Sequence, residues 1–287
     1  INNNNIHDLI ISGESGVGKS VAIECFINEY YGNDIDKKQV LELNASEDRG
    51  INIIRGKVLN FAKEKNNFHL KKFIIFEDIE TITENSQQSL RQIIETYDKC
   101  CFIFIANDSE SLIESIHSRC IHIHFNKLQN EDIKKKLLDI SHKENININN
   151  KGLDTLIFIS NNDMRQVIIN LMCISYGFKK INEENIYKIS DKPHPKKMLD
   201  IFNLLQKNNL NEAIYEINDL INIGYSFIDI INILYKTLLE TPLIYDFKKI
   251  KIVKHLSKCH LSILNGVENK LQIFYLLVKI KNILIED

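Results

Sequence analysis

Gly13-Glu-Ser-Gly-Val-Gly-Lys-Ser20 is the stretch that decides the fold. It fits G-x-x-x-x-G-K-[ST] without a mismatch. An apolar run at residues 9–11 precedes it, and a helical pattern over 20–31 follows it. That strand–loop–helix setting is what the motif requires. Glycines let the backbone curl until several N–H groups face one anion. The following helix N-terminus adds positive potential at the same point. Gly13, Glu14, Ser15, Gly16, Val17, Gly18, Lys19 and Ser20 are therefore candidate nucleotide-binding residues. Lys19 is expected at the β- and γ-phosphates and Ser20 on a magnesium ion.

Outward from the loop, residues 1–125 alternate short apolar runs with helical stretches. The runs are 9–11, 40–43, 73–76, 102–106 and 121–125; helical stretches such as 20–31 and 51–65 lie between them. This alternation argues for an α/β domain with a parallel sheet and helices on its faces. Beyond Lys127 the strand signal disappears, and 130–142, 151–160, 163–176 and 183–188 read as helices. Pro193 and Pro195 interrupt the chain, since proline disfavours helix at the residue before it. From Lys196 onward the pattern is helical again, interrupted at Gly224 and Pro242.

A phosphate site of this kind needs an acidic residue at the end of a neighbouring apolar strand. Phe73-Ile-Ile-Phe-Glu-Asp78 supplies two. In open α/β sheets ligands bind beyond the carboxyl ends of the strands. Glu77 can orient hydrated Mg²⁺ there, and Asp78 can polarise an attacking water.

Bulk properties narrow the field. The chain has 287 residues with a formal net charge of −2, so nucleic-acid contact would have to come from a local basic stripe. No apolar run approaches the ~18–20 residues of a membrane span, and no signal peptide is visible. The six cysteines contain no CxxC pair and read as reduced core thiols. His122 and His124 share a strand face without a third ligand nearby in sequence, which argues against a metal. The sequence opens at Ile1 just before a buried-type strand, so a start further upstream is expected.

Several further segments carry a resemblance. Leu41-Glu-Leu-Asn-Ala-Ser-Glu-Asp-Arg-Gly50, Gln87-Gln-Ser-Leu-Arg91, Ser118-Arg-Cys120, Asp163-Met-Arg-Gln166, Lys192-Pro-His-Pro195 and Gly266-Val-Glu-Asn269 occur in this order. Together with the phosphate loop they make the chain resemble the AAA+ family, specifically the small subunits of replication factor C, the eukaryotic sliding-clamp loader. Within that family, residues 220–231 and 266–269 are similar to the subunit numbered two in animals. The resemblance implies three domains: an AAA+ nucleotide-binding domain over 1–126, a helical lid over 127–191 and an all-helical collar over 192–287. It implies ATP and Mg²⁺ as ligands, with Ser20 and Glu77 serving the metal. Asn107 resembles sensor 1 and Arg165 resembles sensor 2. Arg119 resembles an arginine finger acting in trans on a neighbour's ATP. Glu77, Asp78, Asn107, Arg119 and Arg165 are thus the candidate catalytic set.

Arg49 resembles the residue that couples bound DNA to the catalytic carboxylate, and Arg55 and Arg91 lie on helices that face the DNA backbone in the family. A solvated helix face is the competing reading of these arginines. The implied partners are the other subunits of a hetero-pentamer, the sliding clamp PCNA and primer–template DNA, in the nucleus, with roles in replication and repair. No membrane is implied.

Three departures qualify the resemblance. The family reads Asp-Glu where this chain has Glu77-Asp78, so nucleotide binding is expected and hydrolysis is in doubt. Asn162 stands where the family has glycine, and asparagine tolerates a left-handed backbone. Glu14 puts a charge in the loop near the phosphates. The family's adenine-contacting segment is expected upstream of Ile1. Three functions remain open: an ATPase subunit, a nucleotide-binding structural subunit with little turnover, or another AAA+ replication machine.

Overall fold

The computed structural model describes residues 6–32, 39–45, 51–64, 71–97, 99–178, 180–190, 192–242 and 244–285, with only the backbone for 51–55. These residues form two compact units, one drawn from 1–140 and 160–169 and the other from 141–159 and 170–287.

The first unit is built on five parallel strands: β1 (Leu9–Gly13), β2 (Val40–Asn44), β3 (Lys72–Glu77), β4 (Cys100–Ala106) and β5 (Ile121–Phe125), in the order β2-β3-β4-β1-β5. Every residue of β4 is buried, and so are the first five of β3. Strands covered on both faces need apolar side chains at every position, which is why they read as unbroken runs. Because successive side chains point to opposite faces, each run feeds two cores. Ile10, Ile74, Phe76, Phe102 and Phe104 join one core with Val58 of α2 (Ile51–Lys63). To it belong also Leu90, Ile93 and Ile94 of α3 (Glu84–Thr96) and Ile116 of α4 (Glu114–His117). Ile11, Phe73, Ile75, Cys101, Ile103 and Ile105 join the other, closed by Ile23, Ile27 and Tyr31 of α1 (Lys19–Tyr31).

The register fixes what the sheet presents at its C-terminal edge. Asn44 lies beside Glu77, Phe76 beside Phe104, and Gly13 beside Phe125. With Ser12 beside Ala106, the loop after β1 opens beside the end of β4, and the end of β3 lies one strand further on. Strand β5 is an edge strand with Ile121 and Ile123 half exposed, so its apolar run does not mark a central position.

After β5 the described helices are α5 (Asn130–Lys143), α6 (Asn150–Ser160), α7 (Met164–Gly177), α8 (Glu183–Ile189) and α9 (Pro195–Gln206). Then follow α10 (Leu210–Ile223), α11 (Phe227–Glu240), α12 (Asp246–Leu264) and α13 (Lys270–Ile285). One isolated parallel bridge, Ile148 to Ile181, is an exception to the expected absence of strand pairing beyond Lys127. In the second unit α9–α13 share a core including Met198, Phe202, Ile217, Leu234, Leu256 and Leu277. Pro195 sits in the first turn of α9, where its missing N–H costs nothing, and His194 Nδ1 accepts from Lys196 N at 3.1 Å. Gly224 ends α10 with φ 115. All six cysteines are free thiols; Cys25 and Cys173 are exposed, which corrects the expectation that all six are core residues.

Candidate functional site

The loop between β1 and α1 is shaped by backbone that side chains could not follow. Gly16 has φ 70, and a Cβ there would collide with the Asp163 carboxylate. Gly18 caps α1 in the left-handed region with φ 97, beside open space. Val17 is buried and anchors the loop. Lys19 follows in the first turn of α1 and is itself buried. Its ammonium donates to Gly13 O at 2.6 Å, to Glu14 O at 2.9 Å and to Asn107 Oδ1 at 2.9 Å. Burial lowers its pKa from the ordinary 10.5; Glu80 and Asp78 oppose the shift and Arg165 adds to it.

Asn107, just past β4, is bound on both sides. Its Oδ1 accepts from Lys19, while Nδ2 donates to Glu80 Oε1 at 2.7 Å and the backbone N–H donates to Glu80 Oε2 at 3.1 Å. Glu80 is a site residue that the sequence reading missed. Its signal was a third acid in Glu77-Asp78-Ile-Glu80, close after an apolar strand. Glu77 is the last residue of β3, and Asp78 follows with φ 50 and ψ 43. The two carboxylates are thus not successive residues of one extended strand: the chain turns at Asp78.

A cleft of about 550 Å³ opens here, lined among others by Ser15, Gly16, Gly18, Lys19, Ser20, Asn44, Glu77, Asp78, Asn107 and Arg165. Gly13, Glu14 and Val17 shape the loop without lining the cleft. Glu14 pairs with Lys127 at 2.9 Å, which offsets its charge near the loop. Arg165 is presented by the first turn of α7, whose start is tied to the loop: Met164 N–H donates to Gly16 O at 3.2 Å. Asp163 Oδ1 accepts from Gln166 N–H at 3.1 Å, a helix cap. Asn162 has φ 63, the left-handed backbone for which glycine is the default, and its Nδ2 donates to Leu128 O at 3.0 Å.

The remaining candidates lie away from the cleft. Arg119 Nη2 is 2.8 Å from Glu95 Oε1, and Arg91 Nε donates to the same oxygen at 2.9 Å. Arg49 is outside the described residues, and the side chain of Arg55 is not described. His122 Nε2 and His124 Nδ1 lie 2.7 Å and 2.9 Å from the buried Ser12 hydroxyl, so a serine stands between them. No group of three metal-ligating side chains occurs among the described residues. Gln87, which the sequence presents only as part of a motif, is a buried cross-link. Its Nε2 donates to Ile82 O at 3.3 Å and Ser111 O at 3.2 Å, and its Oε1 accepts from Ile113 N–H at 2.9 Å.

A phosphate loop opening a helix, a buried lysine bridging it to a polar residue on the next strand, and acids at a third strand end define a P-loop NTPase of the AAA+ type. The fold agrees with the Thermotoga maritima RuvB Holliday junction branch migration motor, at TM-score 0.52 and 12% identity, covering 74% of each chain. Family models match along the chain: "DNA polymerase III, delta subunit" at 1–129, "RFC1-like, AAA+ ATPase lid domain" at 130–188 and "Replication factor C C-terminal domain" at 193–279.

Replication factor C subunit 4 of Saccharomyces cerevisiae is 36% identical, over 96% of this chain and 85% of the relative. Probable replication factor C subunit 2 of Dictyostelium discoideum is 35% identical, over 96% and 82%. The replication factor C small subunit of Methanococcus vannielii is 35% identical, over 94% and 86%. The chain belongs to the replication factor C small-subunit family, which sets aside the reading as another AAA+ machine. No helix among the described residues is long and apolar enough to cross a membrane.

Proposed function

We propose that the chain is an ATP-binding small subunit of the replication factor C clamp loader. In this reading ATP binding and hydrolysis in a hetero-pentameric ring open the sliding clamp PCNA and load it on primer–template DNA, in the nucleus, during replication and repair. The observation that carries it is the arrangement around Lys19 and Asn107, which line one cleft with Glu77 and Asp78 while Glu80 holds the Asn107 amide from behind. The nucleotide domain would span 1–126, the lid 127–191 and the collar 192–287.

The residues fit a magnesium–triphosphate group. Gly18 leaves open space beside the loop, Ser15 to Ser20 supply backbone N–H groups, and Ser20 and Glu77 offer the hard oxygens that Mg²⁺ prefers. When bound, the metal neutralises phosphate charge and orients the phosphoryl group. Lys19 supplies a positive charge at the same place. Asn107, its amide fixed by Glu80, presents Oδ1 to the cleft as an acceptor for a water proton. In this reading Asp78 would take a proton from attacking water, and Arg165 would bring a guanidinium from the lid. Arg119 would serve the ATP of a neighbouring subunit, and Arg49, Arg55 and Arg91 would contact DNA phosphates without regard to sequence.

A second reading is favoured by Asp78 itself. Its side chain is one carbon shorter than the family's glutamate, and it leaves the strand with φ 50. A base misplaced by around 1 Å can lose on the order of 10²-fold in rate. The chain would then hold ATP as a structural ligand and lend Arg119 to its neighbour.

Single-turnover hydrolysis in the assembled ring separates the two readings. Arg119→Ala is expected to slow turnover by about 10³-fold or more at the site it serves. Asp78→Ala slows the chain's own turnover by about 10²-fold if the first reading holds, and changes nothing if the second does. A ring in which neither substitution alters hydrolysis would sink both.

A further inference from the structure

The carboxylate of Glu95 meets two arginines at once. Its Oε1 accepts from Arg91 Nε at 2.9 Å and lies 2.8 Å from Arg119 Nη2. Glu95 and Arg91 are one turn apart near the end of α3, a helix fixed to the sheet by Leu90, Ile93 and Ile94. Arg119 comes from the turn between α4 and β5, where its backbone N–H donates to Ile116 O at 3.1 Å. We propose that Glu95 is a positioning residue for Arg119, holding one edge of its guanidinium against α3 so that the other edge faces outward to the phosphate of a neighbouring subunit. This rests on the reading of Arg119 as acting in trans.

Three physical points support it. The first is donor accounting. A guanidinium has five N–H donors in a rigid fork. One Nη2 contact leaves the remaining donors for phosphate oxygens, so the pair need not break when the arginine is used.

The second is charge. A carboxylate beside a catalytic arginine would normally cancel the potential needed at a phosphate. Here Arg91 shares the same oxygen, so the three side chains carry one net positive charge, as a lone arginine would. Without Glu95, two guanidiniums on adjoining elements would face each other as like charges and splay apart. Arg91, followed by Arg119, accounts for the favourable part of the lowered Glu95 pKa: the hydrogen bond from Arg91 is the largest cause.

The third is magnitude. The Arg119 and Glu95 side chains are 42% and 36% exposed. Exposed pairs contribute little to stability because water screens them, so the contact does little to hold the fold. A long arginine on a turn has many rotamers, and displacing a catalytic group by around 1 Å costs on the order of 10²-fold in rate. The effect of Glu95 therefore belongs to rate and not to folding.

The test is single-turnover ATP hydrolysis in the assembled ring for Glu95→Gln, Arg119→Ala and the double variant, with melting curves alongside. Glu95→Gln is expected to lower the rate constant at saturating ATP by about tenfold or more. The half-saturating ATP concentration and the melting temperature should stay at their wild-type values. The double variant should be no slower than Arg119→Ala, because Glu95 acts only through Arg119. An unchanged or faster rate in Glu95→Gln, or additive losses in the double variant, overturns the proposal while leaving the trans reading intact. If Arg119→Ala itself leaves hydrolysis unchanged, the trans reading fails and the proposal fails with it.

Discussion

Two cationic side chains in the sheet unit are built in opposite ways. Lys19 is 8% exposed and held by two backbone carbonyls and the Asn107 amide. Arg119 has a side chain 42% exposed and leans on one carboxylate, itself at the surface. The lysine serves a cleft made by its own chain, so every group that orients it can be fixed during folding. The arginine, if it serves a neighbour, must be ready before that neighbour arrives. It is therefore placed by another side chain at a rim open to solvent. A buried cation costs desolvation and gains precision; an exposed one costs little and gains reach.

The comparison breaks most readily at the lysine. Lys19→Ala removes a charge whose hydrogen bonds to phosphate, in the proposed function, would contribute about 1.5–3 kcal/mol each. Nucleotide affinity should fall by roughly 100-fold, read by titration with a fluorescent ATP analogue. If affinity is unchanged, Lys19 is a structural cross-link of the loop and the contrast with Arg119 disappears. Gln87 sharpens the same comparison from the side of stability. It ties the start of α3 to the segment that leads into α4 and the Ser118-Arg-Cys120 turn. Gln87→Ala leaves the partly buried Ile113 N–H and two carbonyls short of a partner, at a cost of about 1–3 kcal/mol. A melting temperature lowered by several degrees is expected, against no measurable change for the exposed Glu95→Gln. Equal melting temperatures for the two variants would show that burial is not what separates them.

The sequence made one of these regions far more legible than the other. The phosphate loop is local: the residues that curl and the residue that reaches lie within eight positions, and the flanking periods identify strand and helix. Strands β3 and β4 are readable because both faces are covered, and α9 to α13 because each keeps a helical period, although the break at 207–209 between α9 and α10 carries no glycine or proline. Helix α3 was harder, since Glu84-Asn-Ser-Gln-Gln-Ser89 holds no apolar residue before Leu90. Glu80 and Glu95 escaped notice because each is defined by a partner on another element: Asn107 for one, Arg119 for the other. Glu95, on a polar helix face, carries no sign of such a partner, and Glu80 carries only that of a third acid close after β3. The turn at Asp78 is equally silent, because aspartate tolerates left-handed backbone without requiring it. The edge position of β5 follows from strand order, which composition does not encode, and so the half-exposed Ile121 and Ile123 read like core.

The smallest expected effect concerns protons. Burial sets the Lys19 pKa below 10.5, with Glu80 and Asp78 pulling the other way. Between the lowered value and 10.5 the unfolded chain holds more protons at this site than the folded chain. This group's contribution to stability therefore rises with pH across that window. Nucleotide binding, in the proposed function, runs in the opposite direction, because the Lys19 ammonium would have to be charged to meet a triphosphate. Affinity should decline as pH climbs through the window, by less than about tenfold per pH unit, since one proton is involved. Arginine does not titrate there, so Lys19→Arg separates this proton from those of the surface lysines. Its affinity is expected to be lower at neutral pH but flatter toward alkaline pH. Parallel slopes in the two proteins would show that the pH dependence comes from elsewhere, and that the buried lysine keeps its proton even though burial disfavours the charge.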